Sequence, residues 1–275
     1  MHISGKTKIT GLFGYPVEHT LSPSMHNAAF EHLGLDYCYL PFLVHPDFLR
    51  QAVDGVRALN MAGVNVTVPH KETVMPFLDS VDEEAAFIGA VNTVVNSDGR
   101  LRGYNTDGKG FMRSLSEGGI EVENRRVLVV GAGGASRAIS YYISEKAEVL
   151  YLHDIAQNRL EKLVSDLQKI RSNVLSCGRI SDPGSFDVII NATPLGLKAD
   201  DPLPFDLEPL SSRHTVCDLI YRKTRLLEEA ERKGCRTVDG LGMLLWQGVL
   251  AFELWTSVVP PVELMRKALL KGISL

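Results

Sequence analysis

One segment constrains the fold more than any other: an aliphatic run that breaks at glycines and continues directly into a helical pattern. RVLVV (residues 126–130) is followed by GAGGAS (residues 131–136) and then by RAISYYI. A buried strand that opens through glycines into a helix is typical of a dinucleotide-binding turn, because the glycines allow a pyrophosphate to approach the helix N-terminus. We therefore predict cofactor contacts from Gly131, Ala132, Gly133, Gly134, Ala135 and Ser136. The alternative is an ordinary tight turn without a ligand.

The pattern on either side of this turn predicts an α/β fold with two domains. Strand-like runs and helical patterns alternate from residue 126 to about residue 239, which favours a doubly wound parallel sheet of the Rossmann type. A similar alternation before residue 107 predicts a second, mainly parallel sheet. After Gly240 the pattern is wholly helical, and we expect these helices to pack back on the first domain. The predicted domains are residues 1–107 plus 240–275 for substrate and catalysis, and residues 108–239 for the cofactor.

Composition narrows the classes of function. Across 275 residues, 29 basic and 33 acidic side chains give a net charge of -4. The chain therefore has no excess of positive charge that would attract nucleic acid. The longest apolar stretch, residues 241–259, contains Gln247 and Glu253, which favours a buried helix over a membrane span. The N-terminus lacks the apolar core of a signal peptide, and we expect a cytoplasmic protein. The cysteines lack metal-ligand or disulfide spacing, so we expect free thiols and no metal site. They are Cys38, Cys177, Cys217 and Cys235.

An acidic residue follows the second strand of the predicted cofactor domain. Asp154 ends the run VLYLHD, at the position where a carboxylate accepts hydrogen bonds from ribose hydroxyls and repels a 2′-phosphate. This chemistry favours NAD over NADP. Two alternatives remain open: Asp154 caps the following helix, or Arg159 swings toward a 2′-phosphate.

The first domain carries hydroxyls just before a predicted helix. Thr20 and Ser22 lie two residues apart in HTLSP, beside helix N–H groups that are free to bind an anion. This arrangement can hold a carboxylate without a buried counter-ion. The alternative is simple N-capping by Ser22 with Pro23 in the first turn.

A lysine and an aspartate form the candidate proton-transfer pair. Lys71 closes the segment NVTVPHK at the carboxyl end of a strand, where open α/β sheets bind ligands, and Asp107 lies in NTDG. A carboxylate orients an ammonium group, and desolvation brings the pKa of a lysine toward neutrality. Asn92 adds an amide that is able to bind hydroxyls. The histidines of this domain are expected to form local hydrogen bonds instead; they are His19, His26 and His70.

Eight motifs in order, running nearly end to end, resemble the shikimate dehydrogenase family. They are GYPxxHTLSPxxHN from Gly14, NVTVPxK from Asn65, GAVNT from Gly89, NTD from Asn105, GAGGA from Gly131, NATP from Asn191, DLIY from Asp218 and DGLGM from Asp239. The resemblance implies reversible reduction of 3-dehydroshikimate to shikimate in aromatic amino-acid biosynthesis. It also implies a small-molecule substrate, and we expect a homodimer.

The resemblance further implies a role for each matching residue. Lys71 is the acid/base group on the reacting oxygen and Asp107 is its partner, which also contacts substrate hydroxyls. Thr20, Ser22 and Tyr221 bind the carboxylate. Thr67, Asn92 and Gln247 hold hydroxyls, and Gly240 lies near the nicotinamide.

Two departures from the family pattern bear on specificity. Thr20 stands where the family usually has serine, so an added methyl crowds the carboxylate site. His153-Asp154-Ile155 replaces the Asn-Arg-Thr run that clamps a 2′-phosphate in many members. The family's usual NADP(H) is therefore expected with NAD(H) as the alternative, and an NAD-dependent quinate/shikimate dehydrogenase of catabolism is the closest rival. A non-catalytic nucleotide sensor and a SAM-dependent methyltransferase are hypotheses from other classes.

Overall fold

The protein folds into two compact units in a computed structural model that describes residues 3–273. Of the described residues, the first unit contains 3–106 and 247–273, and the second contains 107–246. Each unit is built on its own six-stranded sheet. The predicted α/β architecture is confirmed.

Elements are numbered along the chain. The strands are β1 (Lys8–Gly14), β2 (Tyr37–Leu43), β3 (Gly63–Val66), β4 (Ser80–Val81), β5 (Thr93–Ser97), β6 (Arg100–Tyr104), β7 (Arg126–Val130), β8 (Val149–His153), β9 (Val174–Ser176), β10 (Val188–Asn191), β11 (Thr215–Asp218) and β12 (Arg236–Val238). The helices are α1 (Ser22–His32), α2 (Leu49–Ala58), α3 (Glu83–Ile88), α4 (Asp107–Glu117), α5 (Gly134–Lys146), α6 (Gln157–Gln168), α7 (Arg225–Arg232), α8 (Leu241–Thr256) and α9 (Val262–Ile273). Single 3₁₀ turns cover Pro46–Phe48, Met75–Phe77 and Pro183–Ser185.

The sheet of the first unit is mixed, with strand order β2-β1-β3-β5-β6-β4. Strands β2, β1 and β3 are parallel, whereas β5 runs antiparallel to both β3 and β6. The chain turns from β5 into β6 at Asp98-Gly99, where the two residues have positive φ angles of 52° and 85°. This is the backbone of a two-residue hairpin turn, which Asp-Gly favours.

The C-terminal helices complete the first unit. Helix α9 packs against α1, and Met265 and Leu269 on α9 are buried. From α8, the indole N–H of Trp255 donates to the carbonyl of Val94 on β5 at 3.0 Å. A side chain at Gly63 would collide with that indole, so the glycine allows the helix to approach the sheet. The expectation that the helical C-terminus packs back on the first domain is confirmed.

The second unit is a doubly wound parallel sheet with order β12-β11-β10-β7-β8-β9. The first strand of the unit, β7, is central and the order reverses beside it, as in dinucleotide-binding folds. Strand β7 is almost entirely apolar because helices cover both faces of a parallel sheet. This sheet therefore places the carboxyl ends of β7, β8, β10 and β11 at one edge.

The division between the units differs from the predicted boundaries. The second boundary was placed before Gly240, but residues 240–246 pack with the second unit. The Trp246 indole donates to Glu117 of α4 at 3.0 Å, and Arg113 lies over the same ring. A Cβ at Gly242 would collide with Ser114, so the start of α8 lies tightly on α4. Asp107 likewise belongs to the second unit, as the first residue of α4.

Within the described part of the chain, no helix is long and apolar enough to cross a membrane. Among the same residues, no cluster of three histidine, cysteine or acidic side chains could hold a metal ion. All four cysteines are free.

Candidate active site

The glycine turn of the second unit has the shape of a phosphate cradle. Gly131 has φ +111°, and a Cβ there would lie 2.8 Å from the carbonyl oxygen of Ala192. Gly133 is the N-cap residue of α5, so it provides no side chain to accept the first N–H groups of that helix. Apart from Gly133 and its two chain neighbours, no heavy atom lies within 4 Å of the position that a Cβ would take there. The positive end of α5 therefore lies beside open space and has no side-chain cap, which fits a pyrophosphate. The Ser136 hydroxyl points inward and donates to the carbonyl of Gly131 at 2.5 Å, so this residue offers only its backbone to a ligand.

Asp154 contacts the glycine turn directly. One carboxylate oxygen accepts from the N–H of Ala132 at 2.6 Å, and the other accepts from the N–H of Ala156 at 2.7 Å, just before α6. The capping alternative is wrong, because the N-cap of α6 is Ala156, without a side-chain cap, and at this helix Asp154 accepts only the N–H of that residue. The contact with Ala132 is one that the sequence did not reveal. The next side chain, Ile155, is 98% exposed. Arg159 is also exposed, in the first turn of α6.

Three further predicted residues lie in the second unit. Asp107 is buried at the start of α4, and the following Gly108 packs against the carbonyl of Ala138 on α5, which fixes the two helices together. Tyr221 follows β11 and is half exposed. Gly240 donates its N–H to the carbonyl of Ile220 at 2.9 Å, so it lies against the segment that carries Tyr221.

The hydroxyl pair of the first unit lies at the start of α1, after β1. The Thr20 hydroxyl accepts from the N–H of Ser22 at 3.3 Å. Helix α1 starts at Ser22 and its N-cap is Leu21, without a side-chain cap. Simple N-capping by Ser22 is thus wrong, because Ser22 is already helical. Its buried hydroxyl instead hydrogen-bonds Tyr39.

Tyr39 begins a buried polar network that the sequence analysis missed. Burial raises the pKa of Tyr39 far above its ordinary value, and the hydrogen bond from Ser22 only partly opposes this. The phenol therefore stays protonated and donates to the Asn65 amide oxygen at 2.8 Å. The amide nitrogen of Asn65 donates to Thr93 at 3.0 Å, and Thr93 donates to the amide oxygen of Asn92 at 3.0 Å. An asparagine at position 65, within the otherwise apolar β3, was the available signal.

Asn92 connects this network to the residue that precedes Asp107. Its amide nitrogen donates to the Thr106 hydroxyl at 2.9 Å, and its amide oxygen accepts from the N–H of Thr106 at 2.8 Å. Asn105 donates to the carbonyl of Ala90 at 2.9 Å. The side chain of Asn92 therefore fixes the backbone next to Asp107, in addition to its expected role toward hydroxyls.

Thr67 and Lys71 come after β3, and Thr20 and Ser22 come after β1, at the same edge of the sheet. These two strands are parallel neighbours, so their carboxyl ends meet. The carbonyl of Lys71 accepts from the N–H of Val91 at 2.7 Å, one residue from Asn92. Gln247, on α8, is buried in the same unit.

The histidines follow the prediction only in part. His70 contacts the carbonyl of Val44 at 2.8 Å through Nε2, so it forms a hydrogen bond as expected, but with a residue 26 positions away in the sequence. His26 has no hydrogen-bond partner for either ring nitrogen, so the prediction of a local bond is wrong there. Its ring stacks on Tyr39 at 4.5 Å between centroids, and burial lowers its pKa to about 3.

The predicted site residues are thus divided between the units. The first unit holds Thr20, Ser22, Thr67, Lys71, Asn92 and Gln247. The second unit holds Asp107, Tyr221, Asp154, Gly240 and the cradle formed by Gly131 to Ser136. The first group lines a sheet edge with hydroxyls, amides and one ammonium. The second group includes a glycine turn at the N-terminus of α5, where the space beside Gly133 is open.

Comparison with known proteins identifies this combination. The model of the shikimate dehydrogenase substrate binding domain matches residues 12–94, and that of the shikimate 5′-dehydrogenase C-terminal domain matches residues 240–270. Shikimate dehydrogenase (NADP(+)) of Desulforamulus reducens is 47% identical, covering 99% of this chain and 98% of the relative.

Solved structures agree with the sequence comparison. A crystal structure of shikimate dehydrogenase in complex with NADP+ superposes with a TM-score of 0.95 and 40% identity, over 99% of this chain and 98% of that one. Shikimate 5-dehydrogenase from Listeria monocytogenes, in complex with shikimate and NAD, has a TM-score of 0.90 and 37% identity, over 97% and 98%. The resemblance found in the motifs is confirmed, and the chain belongs to the shikimate dehydrogenase family.

Proposed function

We propose that this protein interconverts 3-dehydroshikimate and shikimate with a nicotinamide cofactor, in aromatic amino-acid biosynthesis. The observation that carries the proposal is the composition of the two sites. A polar sheet edge with one lysine in the first unit accompanies a Rossmann-type phosphate cradle in the second. Family membership and near-complete coverage of relatives that bear this activity in their names support it.

The substrate is held chiefly by neutral groups. The Thr20 hydroxyl holds the carboxylate beside the N-terminus of α1, and Ser22 joins it by turning its hydroxyl from Tyr39 to the ligand. Tyr221 is the third partner. Thr67, Asn92 and Gln247 bind the ring hydroxyls. Hydroxyl and helix N–H donors stabilise a carboxylate without a basic field, which agrees with the net charge of -4.

Lys71 and Asp107 carry the proton transfer. As the ketone carbon is reduced, the Lys71 ammonium gives a proton to the carbonyl oxygen, which becomes the hydroxyl of shikimate. In the opposite direction, neutral Lys71 removes that proton. Asp107 orients the ammonium and accepts from a neighbouring hydroxyl.

The cofactor fits the cradle at α5. The nicotinamide supplies and accepts the hydride when it is bound. Backbone N–H groups at the start of α5, in residues 133–136, would hold the pyrophosphate, because those of Gly131 and Ala132 are already bonded to His153 and Asp154. Gly131 and Ala132 would shape the turn, and Gly240 allows close approach near the nicotinamide. We propose NADP(H) as the main cofactor, because the Desulforamulus reducens relative carries NADP(+) in its name and the structure with a TM-score of 0.95 is a complex with NADP+. Both oxygens of Asp154 accept backbone N–H groups, which offsets part of the charge that would repel a 2′-phosphate. NAD(H) is the second candidate because Asp154 remains an acid.

Initial rates with shikimate and quinate, each with NAD+ and NADP+, test the proposal. We expect the highest kcat/KM with shikimate and NADP+. Absence of turnover in all four combinations would refute it. Preferred turnover of quinate with NAD+ would identify the catabolic alternative, and tight dinucleotide binding without turnover would identify a sensor. A homodimer and a cytoplasmic location stay predictions.

A further inference from the structure

Two buried polar residues have no role in the mechanism above, although both belong to motifs that point to the family. Asn191 ends β10 and Asp218 ends β11, and the two residues are paired across these neighbouring strands. Asn191 is fully buried and Asp218 is 1% exposed. Polar side chains that are buried this completely cost free energy unless their hydrogen bonds are satisfied.

Asp218 holds the segment that leads to Tyr221. One carboxylate oxygen accepts from the N–H of Ile220 and from the Asn191 amide, both at 3.1 Å. The other oxygen accepts from the Thr224 hydroxyl at 2.7 Å. Thr224 is the N-cap of α7, so Asp218 fixes both ends of the short loop that contains Tyr221.

Asn191 holds the neighbouring loop. Its amide oxygen accepts from the N–H and the hydroxyl of Thr193, at 3.1 and 2.6 Å. Its amide nitrogen also donates to the carbonyl of Leu195 at 3.0 Å. Its backbone carbonyl accepts from the N–H of Leu219 at 3.0 Å, which ties the two loops together.

Both loops contact residues that we assign to the ligand sites. The carbonyl of Ala192 lies against Gly131 of the phosphate cradle. Gly240 donates to the carbonyl of Ile220 and packs against the carbonyl of Leu219. The Asn191–Asp218 pair therefore lies directly behind three predicted ligand positions of this unit, which are Gly131, Tyr221 and Gly240.

Asp218 is the only ionisable residue of the Asn191–Asp218 pair. Burial raises the pKa of Asp218 above its ordinary value; the hydrogen bonds from Thr224, Ile220 and Asn191 lower it, and the nearby Asp239 raises it. The negative charge of Asp218 in turn adds to the effect of burial on the pKa of Cys217. The three donors aimed at Asp218 define its geometry whether or not it carries a charge.

We propose that Asp218 and Asn191 are positioning residues, which hold the loops after β10 and β11 so that Tyr221 meets the substrate carboxylate and Gly131 and Gly240 meet the dinucleotide. Only the part of this inference that concerns Tyr221 rests on the proposed function. The part that concerns Gly131 and Gly240, the cofactor half, requires only that a dinucleotide binds in the cradle.

The test compares three aspartate variants of the full-length protein. Asp218→Ala removes all three acceptor contacts. Asp218→Asn keeps the oxygen that accepts from Ile220 and Asn191 and directs its amide toward the Thr224 oxygen. Asp187→Ala is the matched control, because Asp187 accepts the N–H of Arg126 at 2.8 Å at the opposite, amino end of the same sheet. Each variant is assayed for kcat and KM with shikimate and for NADPH affinity by fluorescence.

We expect Asp218→Ala to raise the KM for shikimate and the Kd for NADPH by about tenfold each, since a positioned charge-assisted hydrogen bond is worth roughly that factor. Asp218→Asn should restore both values to within about threefold of the wild type. Asp187→Ala should leave both constants unchanged. Unchanged KM and Kd in Asp218→Ala, with only a smaller active fraction, would show a purely structural role and overturn the proposal.

A double-mutant cycle separates this inference from the proposed function. Combined with Tyr221→Phe, Asp218→Ala should add little to the KM for shikimate, whereas additive effects would overturn the link to Tyr221. If Asp218→Ala does not fold, Thr224→Val removes one donor to the same carboxylate and is expected to change KM and Kd in the same direction; no change would overturn the proposal. A wild type without shikimate turnover would instead refute the function, while the NADPH affinities still test the cofactor half.

Discussion

Lys71 is the residue on which the chemistry depends most directly. Its carbonyl is hydrogen-bonded to Val91, and the neighbouring His70 is anchored to Val44, so the backbone around it is fixed on both sides. The Cα from which the Lys71 side chain extends therefore has a fixed position. The location of Lys71 beyond the carboxyl end of β3 could be predicted from the sequence, and ligands of open α/β sheets bind at that edge.

Replacing Lys71 should affect turnover more than binding. We expect Lys71→Ala to lower kcat by roughly 10²–10⁴-fold with a modest change in KM for shikimate, because proton transfer acts in the transition state. Lys71→Arg keeps the positive charge but cannot lose its proton at neutral pH, so it should be nearly as slow. Steady-state kinetics measure both variants. Substantial turnover by Lys71→Arg would mean that the charge of Lys71 matters and its proton does not.

Cofactor preference depends on Asp154 and Ile155. Asp154→Ala leaves the N–H of Ala132 without its acceptor, so we expect weaker binding of both NAD(H) and NADP(H). Ile155→Arg replaces an exposed side chain and adds a cation beside the turn, which should shift the ratio of kcat/KM toward NADP+ by about tenfold. Ile155→Gln is the neutral control. If Ile155→Arg and Ile155→Gln have the same cofactor ratio, the 2′-phosphate does not approach this position.

At the scale of elements, α1 combines a binding role with an unusual core. Its N-terminus carries Ser22, while one turn later His26 lies among Tyr39, Phe252 and Trp255. The sequence showed a histidine in a motif and suggested a local hydrogen bond. It could not show that aromatic rings from β2 and α8 surround the imidazole, because those contacts are distant along the chain.

The pKa of His26 makes the stability of the first unit dependent on pH. The pKa is about 3 in the folded protein and 6.5 as the reference for the unfolded chain, so the unfolded state binds the proton more readily. The stabilisation is complete above pH 6.5 and is lost at about 1.4 kcal/mol per pH unit as the pH falls toward 3. His26→Phe should therefore lose less unfolding free energy than the wild type between pH 7 and 5. Urea unfolding at both pH values measures this.

The control for that experiment lies on the same helix. His32→Gln removes an exposed imidazole from the last turn of α1 and should retain the pH dependence of the wild type. Equal pH dependence in wild type and His26→Phe would mean that His26 is hydrated or partnered in solution.

Elements with local signals were predictable, and those with distant causes were not. The strand, glycine turn and helix from residue 126 to residue 146 follow from apolar residues and glycines that are close in sequence. The sequence predicted a mainly parallel first sheet and did not show that β5 pairs antiparallel with β6 across Asp98-Gly99. The contact between Asp154 and Ala132 joins two separate loops, so spacing predicted the position of the acid and not its partner.

For the whole molecule, the division of the chain follows from packing rather than from motif positions. Motifs placed the return to the first domain at Gly240, where the helical pattern begins. Helix α8 starts on α4 through Trp246 and reaches the first unit only at Gln247, because its small residues at 242 and 248 fit different neighbours. Periodicity identifies a helix without showing which surface each turn covers.

This arrangement predicts that the two units differ when expressed alone. Residues 107–246 contain an uninterrupted parallel sheet with its own apolar core, including Leu128, Ile189 and Val216, and should fold and bind NADPH. Residues 1–106 lack α8 and α9, so apolar side chains such as Phe30 lose their cover and the fragment should remain unfolded. Joining residues 247–275 to the fragment through a flexible linker should restore cooperative unfolding. Circular dichroism and NADPH fluorescence measure these properties, and a folded 1–106 fragment would show that the C-terminal helices are dispensable for this sheet.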